Sequence, residues 1–173
     1  MVSLGSEWIV MKEMSPIPFK FEIDVIQISK KISGTGIVFK LYLNGKLCEN
    51  PFAKEKGTKI NYTDNTWFFP FIGGIFKQLR DKKSIIMYHG FMDNPLSLGV
   101  EKINNNHLKV SFNFDTNKGP KEITSTICEI KQFNDMLVQA SKKVIDHLYA
   151  NRSNYDTFDN ELLNKFQLLM NDA

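Results

Sequence analysis

The sequence predicts an α+β fold: an antiparallel β-sheet meander, a short central helix and two C-terminal helices, the longer packed on one sheet face. Three observations carry this expectation. Short runs of alternating apolar and polar residues, about five to seven in number, are separated by turn residues. After Phe133 the alternation gives way to apolar residues spaced three and four apart, the period of a helix. The composition, 42% apolar and 24% charged over 173 residues, is that of one globular domain spanning residues 1–173. A chain of that size buries enough surface to fold without a metal or crosslink.

The elements follow in order. A short strand is expected at residues 8–11, before Pro16-Ile17-Pro18 breaks regular structure. Phe19, Phe21, Ile23 and Val25 alternate with Lys20, Glu22 and Asp24, which marks a strand with one buried face. At Ile26 and Ile28 the apolar phase flips. After a turn at 33–36, Ile37, Phe39, Leu41 and Leu43 form the next strand. Asn44-Gly45 is the strongest hairpin signal, since both residues tolerate positive φ, and residues 46–48 return antiparallel. Residues 49–64 read as a polar loop. Ile72, Ile75, Phe76 and Leu79 form a helical stripe, with Pro70 in the first turn. Residues 85–88 read as a strand and 89–95 as a loop.

Leu96, Leu98 and Val100 alternate, and so do Leu108, Val110, Phe112 and Phe114, with an Asn-rich turn at 104–106 between them. A second turn at 115–120 precedes a β-branched strand at 122–130. Phe133, Met136, Leu137, Ala140, Val144, Ile145 and Leu148 stripe a long helix over 133–150. Phe158, Leu162, Leu163, Phe166, Leu169 and Met170 stripe the last helix, with Asp156 or Thr157 as N-cap.

The net charge is +3, but it is unevenly distributed. Residues 1–60 carry +3, residues 61–121 another +3, and residues 122–173 carry −3. Of the 22 basic residues only Arg80 and Arg152 are arginine. Arginine supplies the planar fork that reads phosphate and guanine, so direct nucleic-acid binding is not expected. A polarised molecule, with basic strands and an acidic helical end, would instead steer a charged partner.

The N-terminal residues show no basic stretch followed by an apolar core, so no secretory signal is expected. The longest apolar cluster, 67–75, is far short of the roughly 20 residues a membrane span needs. A cytoplasmic location follows as the expectation. It agrees with reading Cys48 and Cys128 as free buried thiols.

The search for chemistry is mostly negative, so no cofactor or metal is expected. Gly34-Thr35-Gly36 is followed by a strand pattern where a dinucleotide-binding loop needs a helix. Ser97 lacks the first glycine of a nucleophile elbow. The one catalytic candidate is His89, opening a strand-end loop, with Asp93 to orient it. The cluster Trp67, Phe68, Phe69 and Phe71 reads first as core packing. If exposed, it would supply interface anchors or line an apolar pocket.

In overall layout the chain resembles the small cytosolic immunity proteins that neutralise bacterial polymorphic toxins. The resemblance rests on size, the lack of targeting and of a catalytic constellation, and an α+β plan ending in helices. No motif carries it, so no residue role transfers. It implies a non-catalytic protein that occludes a toxin's active site. Because toxins acting on nucleic acid are basic there, it also implies an acidic surface. Asp135, Asp146, Asp156, Asp159 and Glu161 are the residues placed to form one. The alternative is a small-molecule or lipid-binding domain with an apolar cavity between sheet and C-terminal helix. The oligomeric state is left open.

Overall fold

The computed structural model describes residues 17–27, 35–49, 61–80, 86–90, 95–154 and 160–171. Eight strands and three α-helices follow one another among them: β1 (Phe19–Gln27), β2 (Thr35–Leu43), β3 (Lys46–Leu47), β4 (Asn61–Asp64), α1 (Asn65–Arg80), β5 (Ile86–Gly90), β6 (Leu96–Lys102), β7 (His107–Thr116), β8 (Gly119–Glu129), α2 (Ile130–Ala150) and α3 (Asn160–Asn171). A 3₁₀ turn, Arg152–Asn154, follows α2. The fold is α+β with antiparallel pairing throughout. The strands divide into two four-stranded sheets rather than one.

In the first sheet β1 pairs with the whole of β2, in the register Phe19↔Leu43, Phe21↔Leu41, Ile23↔Phe39 and Val25↔Ile37. Every one of these cross-strand pairs is apolar, which is why the register is well specified: a slip by one residue would turn the whole set to solvent. On the opposite face Lys20 pairs with Glu22 and lies over the Tyr42 ring at 5.5 Å. Asn44 and Gly45 both take positive φ (51° and 74°) in the turn that returns as β3. β3 and β4 then share the remaining edge of β2, at Tyr42–Leu43 and Gly36–Phe39 respectively.

β4 corrects the polar loop expected over residues 49–64. Asn61-Tyr62-Thr63-Asp64 has no apolar alternation, and its strand character comes from pairing with β2. α1 likewise begins five residues before Pro70, which therefore sits inside the helix and not at its start. Its missing N–H leaves the Thr66 carbonyl without that intrahelical donor. The turn expected at 33–36 is corrected in its second half, where Thr35 and Gly36 pair with Gln27 and Ile26 as the start of β2; its first half, the expected strand at 8–11 and the N-cap at Asp156 or Thr157 fall outside the described residues.

The second sheet is a true meander, β5-β6-β7-β8. Leu98↔Phe112, Val100↔Val110 and Leu108↔Cys128 line up on one face. A bulge interrupts β7–β8: Phe112 faces Thr124 while Asn113 faces Glu122, so Ile123 is the extra residue. β6 is buried on both faces, with Leu96 through Val100 all enclosed.

α2 starts at Ile130, three residues before its expected first turn, and packs against β1. The Phe19 and Phe133 rings meet at 4.5 Å, both fully buried. Lys143 reaches round the edge of β1 to donate to the Ile23 carbonyl (2.6 Å) and to pair with Asp24 (2.9 Å). α3 packs against α1 through Phe166 and Phe69, whose centroids lie 4.5 Å apart. It also meets α2, where the Tyr149 hydroxyl donates to Asn164 Oδ1. The buried apolar residues of both sheets and all three helices form one cluster. No described helix is long and apolar enough to cross a membrane.

Candidate functional site

The aromatic cluster resolves as core. Phe68 is fully buried, Phe69 is 4% exposed and Phe71 is 6% exposed. Phe68 and Phe69 meet edge to face at 5.8 Å, and Phe69 continues into Phe166. The surface-anchor reading of these three phenylalanines is therefore corrected. The stripe that follows Pro70 extends upstream through them, because the helix itself begins at Asn65. Trp67 lies in α1, and its side chain is outside the described residues.

His89 does not open a loop. It is the fourth residue of β5, with its backbone level with Leu98 of β6. Its expected partner Asp93 lies outside the described residues. Next to β5 in the sheet is a polar row that alternation assigns to solvent and the fold buries. Ser97, Ser111 and Asn113 are 1%, 7% and 2% exposed. The Ser97 hydroxyl donates to Asp115 at 2.6 Å, and the Asn113 amide donates to Ser111 Oγ at 3.1 Å and to the Ser111 carbonyl at 3.2 Å. These groups satisfy one another, as buried polar groups must. Nothing in a Ser-Phe-Asn run distinguishes a covered face from a wet one.

The acidic residues are dispersed. Asp135 and Asp146 are both exposed on α2, eleven residues apart, which brings them to one stripe about three turns from each other. That stripe is mixed in sign. Lys131 pairs with Asp135 at 2.7 Å, and Lys142 and Lys143 precede Asp146 by one helical turn. The carboxylate beside Lys131 holds its ammonium pKa above the ordinary lysine value. Asp156 and Asp159 lie outside the described residues, and Glu161 lies in α3 with its side chain undescribed.

What the fold does bring together is a groove of about 630 Å³ where the β6–β7 turn meets the start of α2. Asn104 Oδ1 accepts from the backbone N–H of Asn106 (2.9 Å) and of His107 (2.8 Å), and His107 Nδ1 lies 3.3 Å from it. The Asn106 carbonyl in turn accepts the N–H of Ile130, the first residue of α2 (2.8 Å). The turn and the helix start are thus one unit. Glu129, Lys131, Asn134 and Asp135 line the opposite wall. Asn134 Oδ1 is enclosed and has no hydrogen-bond partner among the described residues. The groove therefore offers two carboxylates, one of them paired with Lys131, against that one lysine. His107 and Asn134, which the sequence reading left aside, belong to it through long-range packing.

A second cleft, about 340 Å³, lies between β1, β2 and α2, where the alternative reading expects an apolar cavity. Glu22, Asp24, Lys40 and Lys143 line it alongside Phe21 and Val38. Among the described residues no three His, Cys, Asp or Glu side chains gather as a metal site. Comparison with protein-family models, curated proteins and solved structures finds no match to this chain.

Proposed function

We propose that this chain is a non-catalytic protein-binding protein that acts as an immunity protein, neutralising a bacterial toxin by covering its active site. The observation that supports this most is the groove at the start of α2. Its excess of carboxylate over ammonium, Glu129 and Asp135 against Lys131, suits basic side chains of a partner, and charge complementarity sets both encounter rate and register. Asp135 belongs to both the expected acidic surface and this groove, and so becomes the central residue of the reading. Charged side chains in the cleft between β1, β2 and α2 speak against an apolar ligand there.

The test is co-expression with the product of the neighbouring gene, followed by titration calorimetry of the purified pair. A complex is expected, with the toxin's activity lost on binding. The double variant Glu129→Lys/Asp135→Lys should weaken it by about tenfold or more, the scale of a contacted charged interface residue. Unchanged affinity for that variant would remove the groove from the interface, and absence of any complex would remove the immunity reading.

A further inference from the structure

Asn44-Gly45 is the only place in the chain where glycine follows asparagine. Asparagine is a chemically labile residue, and a following glycine removes the steric shield from its neighbouring peptide nitrogen. That nitrogen is the nucleophile. Its lone pair forms a bond to Asn44 Cγ, the Cγ–Nδ2 bond breaks, and the Gly45 N–H proton leaves with Nδ2 as ammonia. One water molecule then opens the five-membered imide at either carbonyl. The product is an aspartate, or an isoaspartate in which the main chain runs through the side-chain carbons. Asn44 is exposed, so water has access to it.

The fold opposes this reaction in two ways. Asn44 and Gly45 take φ of 51° and 74°, in the left-handed region. There ψ is about +47°, which sets the Gly45 nitrogen nearly opposite Asn44 Cβ across the Cα–C bond. Ring closure needs the two on the same side. The amide is also tied across to the second sheet. Asn44 Nδ2 donates to the Ser125 carbonyl (3.1 Å), and Oδ1 accepts from the Thr126 hydroxyl (2.6 Å). The Asn44 backbone N–H donates to the Pro18 carbonyl (2.9 Å). Asn44 Cγ reaches the Gly45 nitrogen only when the side chain leaves β8 and the turn swings out of the left-handed region.

We infer that Asn44-Gly45 is a modification site gated by the fold: docked on β8 the amide is spared, and each opening of the turn exposes it to an irreversible loss of ammonia that prevents the same contact from re-forming. A carboxylate has no donor for the Ser125 carbonyl and sets a negative charge against it. Isoaspartate adds a main-chain atom to a two-residue turn whose length fixes the Leu43↔Lys46 pairing. The inference does not rest on the toxin-binding reading.

The test incubates the full chain at mildly alkaline pH, folded and in guanidinium, and follows the tryptic peptide 41–46 by mass spectrometry for conversion of amide to acid. The unfolded chain should convert at least about tenfold faster than the folded one, since exchange-like chemistry in a structured turn waits on local opening. Thr126→Val removes the donor to Oδ1 and should speed conversion of the folded protein by about fivefold, the scale of one hydrogen bond. In guanidinium it should change nothing. Gly45→Ala should slow conversion in guanidinium, where no fold contributes, because its side chain crowds the attacking nitrogen. Asn44→Asp, which stands for the product, should lower the urea midpoint. Equal rates folded and unfolded, or a folded Thr126→Val protein no faster than the unaltered chain, would overturn the gate. No conversion at position 44 in guanidinium would remove the site, and an unchanged midpoint for Asn44→Asp would refute the lasting loss of the contact.

Discussion

Cys48 and Cys128 are 4% and 3% exposed, and burial pushes both thiols up to about 12. The thiolate is the reactive form, so neither residue is a nucleophile at physiological pH. The folded protein should resist a thiol reagent at mildly alkaline pH, while the chain unfolded in guanidinium reacts at both positions. Rapid labelling of the folded protein would contradict the burial. His147 shows a different outcome of the same physics. It lies in the last turn of α2, and its Nε2 is enclosed without a hydrogen-bond partner among the described residues.

At the scale of elements, β1 is held at its open edge by α2. The Lys143 ammonium bonds the Ile23 carbonyl and holds the Asp24 carboxyl below its ordinary value of 3.8. Lys20 lowers Glu22 in the same way, and Lys109 with Ser125 lowers Glu122. A carboxyl whose pKa falls on folding adds stability that is present above its unfolded value and is lost as pH falls through its folded value. Urea midpoints should therefore hold steady down to the ordinary carboxylate range, near 4.5 for the glutamates, and drop below it. Lys143→Met should lower stability at neutral pH by about 1 kcal/mol and flatten part of that acid slope. An unaltered slope would mean the ion pair is not formed in solution.

Elements with strict alternation or a helical stripe were legible in the sequence: β1, β2, β6, β7, α2 and α3 stand within a few residues of their expected places. β4 and the division into two sheets were not, because both depend on pairings between distant segments. The site divides the same way. Asp135 and Asp146 were placed on the exposed side of α2 by period alone. The groove needed the Asn106–Ile130 contact, for which no local pattern exists.

Over the whole molecule, Phe133 stands where β1 and α2 meet within a core that draws on both sheets. Phe133→Ala should cost about 3–5 kcal/mol by emptying that contact. If residues 1–173 fold as one domain, tryptophan fluorescence and far-ultraviolet dichroism will report the same lowered midpoint, whereas two separated transitions would refute that reading. The sheets also meet at Asn44, and that meeting narrows what the position accepts. Its backbone angle favours Gly, Asn or Asp, and its two bonds ask for a side chain that donates and accepts within one short reach. Glycine supplies neither group and aspartate only one. Asparagine is then the one residue of the twenty that answers both demands, so a position that looks like an interchangeable turn residue has a vocabulary of a single letter.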